Sequence, residues 1–270
     1  MTVDLAQVKQ AQREVWPTGD YQYVANYMNL AGASEALCDS IQVLPHHRVL
    51  DVATGTGNAA LAAKRRGLPH VTGIDYAERL VEIARERAAA DHLDITFEVG
   101  DAEHLPYPDN SFDIVISTLG VFLTPDQESA VSELLRVCRP GGRIGVVAWT
   151  PDGDIGTFNQ TIAGYVAPPE GVPSPLKWGS PEGVAELFGD RVKIETRASE
   201  LQWRTRSARD AVDMLATNFG PLIAALKRLD AENREALIED LVAVFEQRAR
   251  PAEGSYILPG NYLEAIVSVP

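Results

Sequence analysis

Five residues invite a chemical reading when taken together: Asp51, Gly55, Gly57, Asp75 and Asp101. Asp51 heads the stretch Asp51-Val52-Ala53-Thr54-Gly55-Thr56-Gly57-Asn58-Ala59-Ala60, in which Gly55-x-Gly57-x-x-Ala60 has the form of a nucleotide-binding turn in its Ala-ended variant. Glycines there let the backbone turn tightly and approach a ligand with no Cβ in the way. Asp75 follows Gly57 by 18 residues, a place from which a carboxylate accepts hydrogen bonds from both hydroxyls of a ribose. Asp101, within Val99-Gly100-Asp101-Ala102-Glu103, offers an acceptor to the exocyclic amine of an adenine. Jointly these residues describe a site for a nucleoside.

Charge decides which nucleoside. Asp51 lies four residues before Gly55, where a dinucleotide would bring its pyrophosphate. Two like charges about 4–6 Å apart cost on the order of 1 kcal/mol or more even at a surface-like dielectric. No Gly-Lys-Ser/Thr follows the turn, so a phosphate-cradling loop is also disfavoured. A carboxylate suits a cation instead, and S-adenosylmethionine carries a sulfonium and an ammonium on the ribose side of its adenosine. S-adenosylmethionine is therefore the expected cofactor, with a nicotinamide dehydrogenase as a weaker reading.

The elements that must position these residues are legible in the hydrophobic pattern. Short β-branched runs (Arg48–Val52, His70–Ile74, Ile95–Val99, Phe112–Ser117, Arg143–Trp149) alternate with amphipathic segments (Ala59–Arg66, Arg79–Ala90, Gln127–Cys138). Strand and helix in repeated alternation predict an α/β fold with a doubly wound, mainly parallel sheet. Each of the three acids then falls at or just past a strand end. Residues 1–48 read as helical and polar, broken at Trp16-Pro17-Thr18-Gly19-Asp20. After Thr150 the alternation loosens. A Pro-rich loop over 167–175 precedes a helix that Ser180-Pro181-Glu182 opens. A strand at Arg191–Thr196, helices at Ser207–Ala216, Leu222–Arg228 and Glu232–Arg248, and a last strand at Tyr262–Val269 complete the reading. The expectation is one domain over 1–270: an N-terminal helical segment (1–45), a cofactor-binding core (46–150), and the remaining strands with an acceptor-side cover (151–270).

The stretch from Val49 to Thr150 resembles the class I S-adenosylmethionine-dependent methyltransferases, in particular the ubiquinone/menaquinone-methyltransferase-like group. The matching pieces are VLDVATGTGNAALAAKRRG, VTGIDYAERLVEIARERA, VGDAEHLPYPDNSFDIVIS and ELLRVCRPGGRIGVVAW. The resemblance implies a Rossmann-like, seven-stranded sheet whose last strand is antiparallel, with Pro140-Gly141-Gly142 as the turn into the fifth strand. It also implies roles. Asp51 and Gly55 hold the methionine end, and Ala53, Thr54 and Gly57 also bind the cofactor; the family often has cysteine where Thr54 stands. Asp75 binds the ribose, with Tyr76 and Leu80 beside the adenine. Asp101 and the Ala102 backbone fix the adenine amine, Gly100 also binds the cofactor, and Ser117 sits by the methionine carboxylate or the transferring methyl. Trp16 and Gly19-Asp20-Tyr21 resemble the N-terminal segment that closes over the cofactor in related proteins.

An oxygen nucleophile usually needs a base, and none stands out. His46, His47 and His70 sit at the wrong sheet edge, His92 follows a helix, and His104 is near the correct edge but beside Pro106 and Pro108. No metal is expected: Asp109-Asn110, the one tempting pair, reads as a turn. Thr118-Leu119-Gly120-Val121-Phe122, Trp149, Tyr165, Trp178, Trp203, Asn218 and Phe219 are the candidates for the acceptor side, with the Pro-rich loop as a lid. They favour a small apolar or aromatic acceptor.

Composition narrows the alternatives. Hydrophobic residues make up 45% and charged residues 23%, which excludes a disordered chain. A net charge of −14 opposes a phosphate backbone or an anionic membrane. Nucleic acid is accordingly not expected as a partner. Cys38 and Cys138 form neither a disulfide framework nor a zinc site, and no apolar run spans a bilayer. The first 15 residues do not read as a signal peptide, which points to the cytoplasm. A tRNA or protein methyltransferase and a non-catalytic cofactor-binding module are the competing readings. The oligomeric state is left open.

Overall fold

The computed structural model describes residues 4–270. Three helices come first, α1 (Leu5–Val15), α2 (Tyr21–Tyr27) and α3 (Ala31–Ser40). Then follow β1 (Arg48–Val52), α4 (Asn58–Arg65), β2 (His70–Asp75), α5 (Glu78–Ala90), β3 (Thr96–Val99), β4 (Phe112–Thr118), α6 (Gln127–Val137) and β5 (Cys138–Trp149). The rest is α7 (Asp154–Tyr165), α8 (Pro181–Phe188), β6 (Lys193–Thr205), α9 (Ala208–Asn218), α10 (Gly220–Lys227), α11 (Ala231–Glu246), β7 (Arg250–Ala252) and β8 (Ser255–Ser268). The chain forms two compact units. One comprises Met1–Leu30, Trp149–Val172 and Glu200–Tyr262; the other comprises Ala31–Ala148, Pro173–Ser199 and Leu263–Pro270.

The sheet has the order β3-β2-β1-β4-β5-β8-β6, with the short β7 paired to β8; β1 to β4 lie wholly in the second unit, while β7 and parts of β6 and β8 belong to the first. The β2–β3, β1–β2, β1–β4 and β4–β5 pairs are parallel, as the strand–helix alternation requires, and the C-terminal strands are antiparallel. The sheet therefore has eight strands rather than seven, the extra one being this three-residue β7. Leu50, Ile74, Ile114, Val115, Ile116 and Ile144 fill its core. Helix α4 buries Ala59 through Ala63, and the small side chains let it pack closely on α3. Gly145 in β5 serves the same end: a Cβ there would lie 2.8 Å from side-chain carbons of Leu37 and Ile41.

Residues Pro140-Gly141-Gly142 are not a turn into β5. The strand begins at Cys138, directly after α6, and these residues form a bulge within it. Phe112 pairs with Cys138 and Ile114 with Arg143, so Asp113 alone opposes residues 139–142. Gly141 has a left-handed φ of +73°, and a Cβ on Gly142 would sit 2.8 Å from the Asp113 carbonyl.

The first unit has an aromatic core. Phe158 of α7 stacks on Phe245 of α11 at 5.5 Å, and Trp203 of β6 meets Phe245 edge-on. Tyr27 packs on Trp203 and donates to Thr205 Oγ1 at 3.0 Å. Helix α7 has no counterpart in the sequence reading. Strands β6 and β8 also run further than expected, reaching Thr205 and starting at Ser255. Among the described residues no helix is long and apolar enough to cross a membrane.

Candidate cofactor-binding site

The carboxyl ends of β1, β2, β3 and β4 lie side by side in the second unit, and the acids stand on three of them. Past β1 the backbone is left-handed at Ala53 (φ +53°), Gly55 (φ +54°) and Gly57 (φ +87°). The loop is tied down at two points, since Thr54 N–H donates to the Ile74 carbonyl at 3.0 Å and Gly57 N–H to the Thr54 carbonyl at 2.8 Å. A Cβ on Gly57 would approach Ala84 and Phe97 to 3.1 Å, so this position needs glycine for both φ and space. Ala53 gains no such relief, and a left-handed alanine costs about 1–2 kcal/mol. Leu119, just past β4, is strained in the same way (φ +56°). The two strained turns meet: a Cβ on Gly120 would lie 2.5 Å from the Ala53 carbonyl oxygen. Such outliers gather where a ligand site fixes the backbone. Nothing in the sequence pattern pointed to Leu119 and Gly120 as a support of the loop.

Asp51 is 1% exposed. Its Oδ2 accepts from Thr54 Oγ1 at 2.6 Å and from Ala60 N–H at 2.9 Å, while Oδ1 is buried without a partner. Thr54 can fill this role because it carries a hydroxyl. Burial, the largest effect, pushes the Asp51 carboxyl up to about 7; the two hydrogen bonds oppose it and the charge of Asp75 adds to it. Asp75, 6% exposed, accepts from Gly55 N–H and from Ala77 N–H, both at 2.9 Å, and burial pushes it up to about 6. Two acids thus grip adjacent residues of one loop, Thr54 and Gly55. Neither is hydrogen-bonded to a basic side chain among the described residues. Asp51 faces into the loop and the first turn of α4, so its carboxylate acts from beneath the turn.

The β3 end continues the surface. Gly100 N–H donates to the Asp75 carbonyl at 3.0 Å, and a Cβ on Gly100 would strike Ile74 Cδ1 at 2.5 Å. Asp101 Oδ1 accepts from Glu103 N–H at 3.0 Å, and its carbonyl accepts from His104 N–H at 3.0 Å, which shapes the turn around the buried Ala102. Val99 is 50% exposed beside this turn, while Leu80 is buried and Tyr76 half-buried. An exposed valine beside hydrogen-bonding backbone suits the face of a flat ring.

Ser117 is fully buried, and its Oγ accepts from Val121 N–H at 2.9 Å, so it caps the turn after β4. The neighbouring Thr118 has a buried Oγ1 with no partner. Tyr21 belongs to the first unit, where it meets Trp16 edge-on at 5.6 Å; Trp16 in turn packs on Phe219. Gly19 and Asp20 complete that corner through the Asn218 carbonyl, which accepts from Asp20 N–H at 3.1 Å. Of the acceptor-side candidates, Trp178 and Trp203 are core residues, 1% and 2% exposed. Tyr165 donates to Asp240 Oδ2 at 2.6 Å. His104 is exposed, and His47 is buried with Nδ1 accepting from Leu44 N–H. Asp109 takes a hydrogen bond from Arg136 at 3.0 Å beside the left-handed Asn110.

These features fit S-adenosylmethionine. The uncompensated pair of buried acids, with one orphaned oxygen, matches a ligand that brings positive charge, and the glycines leave a cradle that side chains would fill. Comparison with known proteins agrees. A family model described as "Methyltransferase domain" matches residues 49–142. An uncharacterized protein of Mycobacterium tuberculosis (strain H37Rv) is 37% identical over 216 residues, covering 79% of this chain and 78% of that one. Demethylmenaquinone methyltransferase of Deinococcus radiodurans is 42% identical over 122 residues, 45% of this chain and 48% of its own. The crystal structure of the YcgJ protein from Bacillus subtilis superposes with a TM-score of 0.60 at 22% identity, covering 88% of this chain and 99% of that one, which supports the fold. Glycine turn, strand-end acids and kinship together identify the chain as a member of the class I S-adenosylmethionine-dependent methyltransferases.

Proposed function

We propose that the carboxyl edge of β1–β4 holds S-adenosylmethionine and that the enzyme methylates a small apolar or aromatic molecule by in-line transfer. The observation that carries the cofactor placement is the Asp51–Asp75 pair, two buried acids on neighbouring strands that share one glycine loop and, among the described residues, are hydrogen-bonded to no basic side chain. Ala53 through Gly57 would hold the methionine portion, Asp75 the ribose, and Gly100 to Ala102 with Tyr76 and Leu80 the adenine. Ser117 shapes the turn after β4 from within.

The cofactor supplies a methyl group already bonded to a good leaving group. The chain's own residues then have to orient and to exclude water. Fixed orientation contributes on the order of 7–11 kcal/mol to such a transfer. The strained contact between the Ala53 and Gly120 turns is suited to that task, since a rigid floor keeps the methyl direction constant.

Net charge supports a small acceptor over a nucleic acid. Kinship over the core with an enzyme named for demethylmenaquinone supports an apolar, quinone-like ring. Calorimetry should register both S-adenosylmethionine and its demethylated product at micromolar concentration, and heat from neither would remove the reading. A labelled methyl donor offered with phenols, quinones and amines should then pass label to an aromatic acceptor. Label appearing only on amines would refute the acceptor class.

A further inference from the structure

Helix α5 lays one face against the glycine loop. Leu80, Ala84 and Arg87 follow at helical spacing along it. Ala84 closes on Gly57, whose hypothetical Cβ would stand 3.1 Å from the alanine Cβ. Arg87 reaches further. Its Nη1 donates to Asn58 Oδ1 at 2.9 Å, to Thr56 Oγ1 at 3.3 Å and, in a short contact, to the Thr56 carbonyl. Thr56 is 1% exposed. Burial draws the guanidinium below its ordinary pKa, chiefly by desolvation, with the charge of Arg65 adding to it and Asp91 opposing. An arginine nevertheless keeps its proton at physiological pH. Neighbouring arginines bond elsewhere: Arg79 to Glu82, Arg65 to Asp91, and Arg85 to the Phe97 carbonyl. Among the described residues the acceptors of Arg87 are Thr56 and Asn58, and no carboxylate is hydrogen-bonded to it.

Thr56 and Asn58 flank Gly57, the left-handed residue that opens α4. A group that grips both neighbours fixes the dihedral angles between them. We propose that Arg87 is a positioning residue for the cofactor: from α5 it locks Thr56-Gly57-Asn58 in the binding geometry before the ligand arrives. The inference rests on the reading that this loop holds S-adenosylmethionine. The same helix carries Leu80 toward the adenine end, so one rigid element sets the two halves of the ligand site. All three bonds leave one nitrogen, Nη1, at the far end of a long side chain with a rigid planar head. A lysine keeps the charge, but its ammonium is carried on a shorter, more flexible stem and is more strongly hydrated, so it should hold the same acceptors less well.

The test compares Arg87→Lys, Arg87→Ala and, as a control on the same helix, the exposed Arg79→Ala. Affinity for S-adenosylmethionine and for its demethylated product is measured by calorimetry at a temperature where each protein is folded by circular dichroism. Arg87→Lys should weaken both ligands about tenfold, the scale of one charge-assisted hydrogen bond. Arg87→Ala should weaken them further, and Arg79→Ala should not change either. A role confined to stability would lower the melting temperature and leave the folded protein binding as the wild type does. If either Arg87 variant folds and binds both ligands within twofold of the wild type, the inference is overturned. Should Arg87→Ala not fold, Arg87→Lys decides. Wild-type protein that binds neither ligand would instead overturn the reading of the loop, and this inference with it.

Discussion

Asp51 and Asp75 make the cofactor-free protein sensitive to pH with a definite sign. Their carboxyls titrate near 7 and 6 in the folded state and near 3.8 as ordinary side chains. A group whose folded pKa is raised stabilises the fold fully below its unfolded value and loses that contribution as pH climbs through the folded value. The cofactor-free enzyme should therefore melt at a lower temperature at pH 8 than at pH 5, with most of the change between pH 4 and 7. Asp51→Asn should flatten this profile; a profile as steep as the wild type's would show that other groups carry it. A ligand with positive charge favours the ionised pair, so affinity for S-adenosylmethionine should rise from pH 6 to pH 8. The product, which lacks the sulfonium, should gain less. Residue identity made the three acids legible in the sequence, because each sits beside a strand end and a glycine. Direction was not legible. Nothing in the order of residues says that the Asp51 Oδ2 is taken by Thr54 and Ala60, or that Ser117 turns inward to cap Val121.

Among the elements, strands β1 to β4 and helices α4 to α6 lie within two residues of their sequence-derived positions. Each is buried on a regular period, and parallel strands covered on both faces read as continuous apolar runs. Helix α7 escaped notice although Ile155, Phe158 and Tyr165 recur on a helical period, because Gly156 and Gly164 dilute the signal. Gly156 is there for space: a Cβ would meet the Thr150 carbonyl at 2.1 Å. The sequence reading of β6 covers only its mostly exposed first half and misses the second, where Leu201, Trp203 and Thr205 alternate inward. It ends the strand order and carries Lys193, Glu195 and Arg197, the charged dressing that protects sheet edges. The turn after β4 offers a sharper test of how elements cooperate. Gly120→Ala would drive a methyl into the Ala53 carbonyl, and overpacking of this kind costs typically about 1–3 kcal/mol. The variant should melt several degrees lower and bind cofactor more weakly. An unchanged affinity in the folded variant would mean that the two turns are not mechanically joined.

On the scale of the whole molecule, charge and the aromatic core bear on what the enzyme methylates. Trp178 and Trp203 are among the acceptor-side candidates of the sequence, and both are interior packing, Trp178 against Phe188 and Trp203 against Tyr27 and Phe245. Pattern alone cannot separate a buried tryptophan from one lining a ligand site, since both are apolar and both sit under a cover. At −14, the net charge opposes a polyanion, and repulsion between exposed charges reaches about 10 Å at 0.1 M salt. Binding to RNA depends on neutralising phosphates with lysine and arginine, and its affinity falls steeply with salt. An enzyme built for RNA would hold it tightly at 50 mM salt and lose it by 200 mM. This chain should show no measurable retention of bulk tRNA at either concentration. Incubated with labelled S-adenosylmethionine and a fractionated cell extract, it should place label in the organic-soluble, low-molecular-mass fraction and not in acid-precipitable material. Label that precipitates and vanishes on ribonuclease treatment would reverse the choice of acceptor while leaving the cofactor site intact.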